Sequence, residues 1–155
     1  MGLADRTAAL GARALTTRRL VRAPIPLYRA GLGFLLGTRT LLLEHRGRVS
    51  GARRFVVLEV VERPSRDVYV VAAGFGERAQ WYRNILACPD VRVSCGPRRS
   101  APAAAEPLPP DESAAVLRRY AVERPRAWAG LRAVIEAAVG RPVEDVPMVR
   151  LTVKR

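Results

Sequence analysis

The chain has few of the side chains from which metal centres, disulfide scaffolds and catalytic triads are built. Its 155 residues include two cysteines and one histidine. Cys88 and Cys95 are too few for a disulfide framework, and a single histidine excludes a metal site of clustered histidines. His45 is also the one side chain available as the base of a Ser–His or Cys–His pair. Because the sequence lacks a GxSxG elbow, a P-loop and a GxGxxG motif as well, we expect neither a metal site nor a catalytic triad.

Long apolar runs are missing too. Only nine residues separate Arg29 from Arg39, whereas roughly twenty apolar residues are needed to cross a bilayer. Four arginines between positions 13 and 22 interrupt the N-terminal region, a composition that predicts no signal peptide. We therefore expect a cytoplasmic protein. The basic, apolar N-terminal region leaves two alternatives open, contact with an anionic membrane surface or ordinary packing.

Acidic residues are scarce relative to basic ones. The chain has 14 aspartates and glutamates against 27 lysines and arginines, which gives a net charge of +13, and Lys154 is the only lysine. Such an excess attracts anions, whether a polyanionic cofactor, an acidic lipid or a nucleic acid. The sequence has no helix–turn–helix or RNA-binding signature, and aromatic residues are not interleaved with the basic segment at 46–54. We therefore expect no nucleic-acid partner.

Length and periodicity predict a single α+β domain over residues 1–155. We expect residues 1–38 to form a helical N-terminal region and residues 39–155 to form a barrel with helices. Strands interspersed with helices, without regular βαβ alternation, favour a small barrel of about six mostly antiparallel strands. Alternation and turn signals predict strands over 40–45, 55–61, 68–73, 91–95, 100–106 and 148–153, and helices over 4–21, 27–36, 79–87, 111–123 and 126–139.

Residues 46–54 form the segment with the most distinctive chemistry, which we call the basic hairpin loop. It joins the first two predicted strands and contains four arginines, two glycines and a serine. So many guanidinium groups repel one another unless an anion lies among them. Gly47 and Gly51 allow a tight turn that brings backbone N–H groups close to a ligand, and arginine matches the oxygens of phosphate or carboxylate. A solvated turn in an arginine-rich protein is the alternative.

Three further motifs follow the basic hairpin loop in order. They are a small-residue loop with glycines at 72–76, a W-Y-x-N helix at 81–86 and an A-x-P-x-V-x-V strand entry at 87–93. In this order the four motifs resemble the deazaflavin (F420)-dependent nitroreductase family of split β-barrel oxidoreductases. The resemblance runs from about Leu41 to Val93. It implies coenzyme F420 as cofactor and hydride transfer to a small organic acceptor, either a quinone, a nitroaromatic or an activated enone. The cofactor carries the reactive carbon in such chemistry, so no catalytic side chain is expected.

The same resemblance implies where the cofactor and the substrate bind. Arg48 and Arg54 match basic positions of the family loop and are the expected ligands of phosphate or carboxylate, whereas Val49 stands where the family usually has lysine. Trp81 is expected to wall the ring pocket, with a core aromatic as the alternative. The expected cofactor residues are Arg48, Val49, Ser50, Gly51, Arg54, Ala73, Gly74, Phe75, Gly76, Trp81 and Asn84, and the expected substrate aromatics are Tyr28, Tyr120 and Trp128.

Other functions stay open at this point. An FMN-binding split-barrel protein would also use arginines for a phosphate, and a non-catalytic protein that binds an anionic ligand or a membrane surface would use the net charge directly. His45 precedes the basic hairpin loop and is either a structural side chain or a proton donor. Barrels of this superfamily are often dimers, so the resemblance also implies a homodimer.

Overall fold

Six antiparallel strands form a closed barrel in the computed structural model, which describes residues 25–26 and 37–155. The strand order is β1-β2-β3-β6-β5-β4, and β4 pairs with β1 to close the barrel. This architecture confirms the predicted α+β split barrel. The predicted helices over 4–21 and 27–36 lie outside the described residues. The elements are β1 (Thr40–Arg46), β2 (Arg53–Ser65), β3 (Val68–Ala72), α1 (Gln80–Ala87), β4 (Asp90–Cys95), β5 (Arg98–Pro107), α2 (Pro110–Glu123), α3 (Pro125–Val139) and β6 (Met148–Val153).

The interior of the barrel is filled by every second residue of its strands. On β1, Leu41, Leu43 and His45 are buried, and the two leucines belong to the same apolar cluster as Tyr69 on β3 and Val93 on β4. Side chains alternate between the two faces of a strand, so the intervening residues of β1 lie on the outer face. His45 is thus an inward-facing residue, one position before the end of β1.

Helix α1 closes one end of the barrel. Trp81, Tyr82 and Ile85 belong to the apolar cluster of the barrel interior. A 3-10 turn, Gly76–Arg78, leads from the end of β3 to this helix. The β1–β2 hairpin reaches the same end, since Arg46 is paired with Arg53 where the two strands meet the loop. The fold therefore brings the basic hairpin loop beside α1.

Helices α2 and α3 cover part of the outer surface of the barrel. Tyr120 on α2 and Ile135 on α3 pack in a second apolar cluster with Val61, Val70 and Met148 from β2, β3 and β6. The helix α3 ends at Gly140, whose φ of 74° gives a left-handed cap, as the sequence predicts. This second cluster fixes the two helices on the side of the barrel formed by β2, β3 and β6.

Most predicted elements agree with the structure to within two residues, but the end of β2 differs. The predicted turn over 64–67 is wrong in its first half because β2 continues through Pro64 to Ser65. The β2–β3 register shifts between Val60 and Ser65, and a strand tolerates proline at such irregular pairing because no regular ladder hydrogen bond is lost. In residues 25–26 and 37–155, no helix combines the length and the apolar character needed to cross a membrane.

Candidate functional site

The basic hairpin loop is a compact turn held by its own backbone. The Gly51 N–H donates to Gly47 O at 2.8 Å, and the Gly47 N–H donates to Ala52 O at 2.9 Å. Gly51 has a φ of +69°, and a Cβ on Gly47 would lie 2.8 Å from Ser50 Oγ. Side chains at these two positions would strain the turn. The backbone shape of the loop therefore requires Gly51, whereas a side chain at Gly47 would displace the Ser50 hydroxyl.

Asn84 on α1 fastens this loop to the helix. Its Oδ1 accepts a hydrogen bond from the backbone N–H of Arg48 at 3.1 Å and another from Arg48 Nη1 at 2.9 Å. Arg48 Nη1 also donates to Gln80 Oε1 at 2.9 Å, one helical turn earlier. Spacing of four residues places Gln80 and Asn84 on one face of the helix. Arg48 is thereby held by two neutral amide oxygens.

His45 lies on the other side of Asn84, with its Nδ1 3.2 Å from Asn84 Nδ2. Because arginine only donates, the Asn84 atom that meets Arg48 must be its oxygen, and the atom that meets His45 must be its NH2 group. His45 Nδ1 therefore accepts, and the imidazole is the neutral tautomer with its proton on Nε2. Burial, followed by the positive charge of Arg54, lowers the pKa of His45 from 6.5 to about 4.

The tip of the loop presents hydrogen-bond donors that the protein does not use. Within residues 25–26 and 37–155, no acceptor is found for the N–H groups of Val49 and Ser50, and the Arg54 guanidinium has neither a hydrogen-bond partner nor an acidic partner. The side chain of Val49 is 93% exposed. These donors border a depression of about 390 Å³ lined by Gly47, Arg48, Val49, Ser50, Arg54, Gln80 and Asn84.

The four arginines of the loop have different surroundings. Arg53 forms a bidentate pair with Glu44 on the outer face of β1, at 2.8 and 3.1 Å, so its charge is balanced locally. Arg46 donates to Gly51 O at 3.2 Å and supports the turn. Arg48 and Arg54 have no carboxylate partner in the described part of the chain. Two uncompensated guanidinium groups and two free N–H groups form a donor set that fits phosphate or carboxylate oxygens.

The small-residue loop and Trp81 do not line this depression. Ala73 is buried in the barrel interior, and a Cβ on Gly74 would lie 3.0 Å from the side chain of Ile135. The Gly76 N–H donates to Ala73 O at 2.9 Å. Phe75 is 51% exposed. Trp81 packs edge-on against Tyr82, with ring centroids 5.9 Å apart, and belongs to the barrel cluster, which favours the core-aromatic alternative.

The expected substrate aromatics lie elsewhere in the fold. Tyr120 lies on the buried face of α2, and its hydroxyl donates to Glu59 Oε1 at 2.7 Å. Burial, together with Glu59, raises the pKa of Tyr120 above its usual value. Trp128 on α3 packs against the same outer cluster. Tyr28 lies outside the described residues. The substrate roles of these three residues stay predictions.

Sequence reasoning missed Gln80 and the partnership of His45 with Asn84. The i, i+4 spacing of Gln80 and Asn84 on a predicted helix was the available signal for a shared polar face. No comparable signal existed for His45, which is 39 residues before Asn84 in the chain. The two meet only because the barrel brings the end of β1 under α1.

The fold and the loop define a split-barrel protein with an arginine-rich hairpin loop at one end of the barrel. A family model described as F420H(2)-dependent quinone reductase matches residues 27–138. The chain therefore belongs to the F420H(2)-dependent quinone reductase family. This membership confirms the resemblance to F420-dependent split-barrel oxidoreductases and the prediction of F420 as cofactor.

Individual relatives agree with this family. The chain is 42% identical over 73 residues to the "Putative F420H(2)-dependent quinone reductase Rv3178" of Mycobacterium tuberculosis (strain ATCC 25618 / H37Rv). The matched part is 46% of this chain and spans 60% of the length of that relative. The chain therefore spans three fifths of the length of this relative.

Solved structures share the fold at low identity. One, described as a domain-swapped dimer, superimposes with a TM-score of 0.55 at 23% identity, over 90% of this chain and 96% of the other. HutZ, a heme storage protein from Vibrio cholerae, superimposes with a TM-score of 0.52 at 17% identity, over 79% of this chain and 86% of the other. These likenesses establish the split barrel and no more.

Proposed function

We propose that the protein is an F420H2-dependent oxidoreductase that transfers a hydride to a small organic acceptor, with a quinone as the first choice. The observation that carries this proposal is the donor set at the tip of the basic hairpin loop. Arg48 and Arg54 have no acidic partner, and the Val49 and Ser50 N–H groups have no acceptor, within the part of the chain that the structure describes. The family of the chain supports the same cofactor and acceptor.

The residues of the chain have binding and orienting roles in this function. Arg48 and Arg54 bind the phosphate or the tail carboxylates of F420, and the N–H groups at the tip of the loop complete the cradle. When bound, F420 supplies the carbon that carries the hydride. Gly74, Phe75 and Gly76 lie against the cofactor in the same proposal. Val49 contributes its N–H group rather than the side-chain charge of the usual lysine.

Finer points of the proposal concern location and assembly. Nitroaromatics and activated enones are the other acceptors, with Tyr28, Tyr120 and Trp128 lining the acceptor site. A cytoplasmic location with peripheral membrane contact through residues 1–38 suits a protein with a net charge of +13. The last part of the proposal is that two copies of this chain form a homodimer.

Titration of the protein with oxidised F420 and, separately, with FMN tests this function. Binding is followed by the fluorescence of Trp81 and Trp128. In the Trp128→Phe variant the remaining signal comes from Trp81, which lies three residues before Asn84 on α1. We expect F420 to saturate the signal at lower concentration than FMN. The anaerobic oxidation of F420H2 by a water-soluble quinone is then followed by the return of F420 absorbance.

Two outcomes would contradict the proposal. Tighter saturation by FMN without a response to F420 would indicate the FMN-binding alternative. Absence of a response to either cofactor, with slow F420H2 oxidation that the protein does not accelerate, would indicate a binding protein without redox activity.

A further inference from the structure

We propose that Asn84 is a positioning residue and not a ligand of the cofactor. Its carboxamide, held between Arg48 and neutral His45, keeps the basic hairpin loop in the shape that binds an anion. This inference rests on the proposed function for the identity of the anion. The contact of Asn84 with the loop is independent of it and is measurable in the protein without cofactor.

The hydrogen-bonding capacity of Asn84 is nearly used up inside the protein. Its Oδ1 accepts from the Arg48 backbone N–H at 3.1 Å and from Arg48 Nη1 at 2.9 Å, which fills both lone pairs. Its Nδ2 faces His45 Nδ1 at 3.2 Å. Asn84 as a residue is only 3% exposed. The oxygens of a phosphate or carboxylate ion cannot donate to Oδ1, and one of the two Nδ2 hydrogens is directed to the imidazole.

The amide holds Arg48 without neutralising it. Arg48 Nη1 donates to two neutral oxygens, those of Asn84 and Gln80, so the guanidinium keeps its full charge. Its Nε and Nη2 atoms have no acceptor within residues 25–26 and 37–155. Arg53 in the same loop differs from Arg48, because the Glu44 carboxylate pairs with it at 2.8 Å and balances its charge. A carboxylate at position 84 would hold the loop equally well and would remove the charge.

His45 fixes the orientation of the Asn84 carboxamide, that is, which of its two ends faces Arg48. A neutral imidazole with its proton on Nε2 accepts from Asn84 Nδ2 and thereby directs Oδ1 toward Arg48. A protonated imidazole would place an N–H group against the NH2 of Asn84 and would break this order. Arg54, paired with His45 in the β1–β2 register, disfavours a second positive charge there. The buried histidine thus acts on the loop through Asn84.

Nuclear magnetic resonance of the untagged protein without cofactor tests the arrangement directly. His45 is the only histidine, so its imidazole nitrogens give one set of signals. We expect the Nε2–H tautomer at neutral pH and slow exchange of the Arg48 amide hydrogen. Asn84→Asp should retain the slow exchange but convert His45 to the Nδ1–H or protonated form. Asn84→Leu should lose the protection of Arg48. An Nδ1–H tautomer in the native protein, or equal Arg48 exchange in all three proteins, would overturn the proposal.

Affinity for F420 tests whether Asn84 acts through Arg48. We expect Asn84→Leu to weaken binding by about tenfold or more, the equivalent of one hydrogen bond to a charged group. In combination with Arg48→Ala the total loss should fall well short of the product of the separate losses, because both changes affect one loop contact. In combination with Arg54→Ala the losses should multiply. Arg83→Ala, on the exposed face of the same helix, is the control.

Multiplying losses for Asn84→Leu and Arg48→Ala would show that Asn84 is an independent ligand and would overturn the proposal. If the leucine variant does not fold, Asn84→Asp decides. It should hold the loop, yet bind F420 about tenfold or more weakly because its carboxylate pairs with Arg48, and unchanged affinity would contradict the proposal. Failure of the native protein to bind F420 would count against the proposed function, whereas the exchange and tautomer measurements would still decide the role of Asn84.

Discussion

At the scale of single residues, the partner of an arginine decides what that arginine does. Arg53 is balanced by Glu44, and Arg98 is bound by Asp67 at 2.8 Å and lies over the Tyr69 ring, so both serve the barrel. Arg48 and Arg54 have no such acid in the described part of the chain. A sequence rich in arginine does not reveal this division, because it depends on which side chains the fold places beside each arginine.

Arg48→Ala and Arg54→Ala should each weaken F420 binding by about 1.5–3 kcal/mol, since each removes charged hydrogen bonds to the anion. Arg83→Ala is the matched control because it removes one exposed charge from α1 without changing the depression. Isothermal titration at two salt concentrations is the measurement. Equal losses in all three variants, with a steep dependence on salt, would show that the arginines attract the cofactor only as a diffuse charge.

At the scale of elements, the sequence predicts the barrel better than the site. Alternating apolar residues, such as Leu41 and Leu43, and the proline and glycine breaks predict all six strands. The link from Arg48 to Asn84 spans 36 residues, and no local pattern reports a contact of that range. The buried position of Trp81 likewise depends on α1 closing the barrel, which periodicity alone does not indicate. The site is predicted only as far as its local motif extends.

Gly74→Ala should destabilise the contact between the end of β3 and α3. The added Cβ would lie 3.0 Å from two side-chain atoms of Ile135, which is buried in the outer cluster. Overpacking of this kind costs about 1–3 kcal/mol. Gly130 lies in α3, the helix that contains Ile135, and has open space around it. Gly130→Ala should therefore stabilise the folded protein by about 0.5–1 kcal/mol. Urea denaturation of both variants is the measurement, and a similar effect of the two substitutions would contradict this packing.

At the scale of the whole molecule, the basic hairpin loop is continuous with a strand of the barrel, so its position depends on the stability of the fold. Strand β1 carries a buried histidine at its end, and the next residues form the basic hairpin loop. Strand β1 is paired with β2 over its whole length and with β4 at Leu42–Glu44, so His45 directly follows a segment that is paired on both edges. The neutral state of His45 is consequently a property of the folded protein that the unfolded chain does not share.

This difference predicts how stability depends on pH. The pKa of His45 is about 4 in the folded protein against 6.5 in an unfolded chain. Between these values the unfolded state binds a proton that the folded state does not, so the free energy of unfolding falls as pH falls through this window and is fully retained above it. The loss between pH 7 and pH 4 should approach about 3 kcal/mol.

Urea denaturation of the native protein and of His45→Gln between pH 7 and pH 4 measures this contribution. The glutamine oxygen accepts a hydrogen bond from Asn84 and does not titrate, so the variant keeps the buried contact and loses the pH dependence that comes from His45. Asp67 and Glu136 also have lowered pKa values, Asp67 through its bonds to Arg98 and Arg155 and Glu136 through Arg132. Their stabilising contributions decrease as the pH approaches and passes below the ordinary pKa values of 3.8 for Asp67 and 4.5 for Glu136, and this decrease is the same in both proteins. The difference between the two curves therefore isolates His45, and parallel curves would show that the imidazole is not held neutral by the fold.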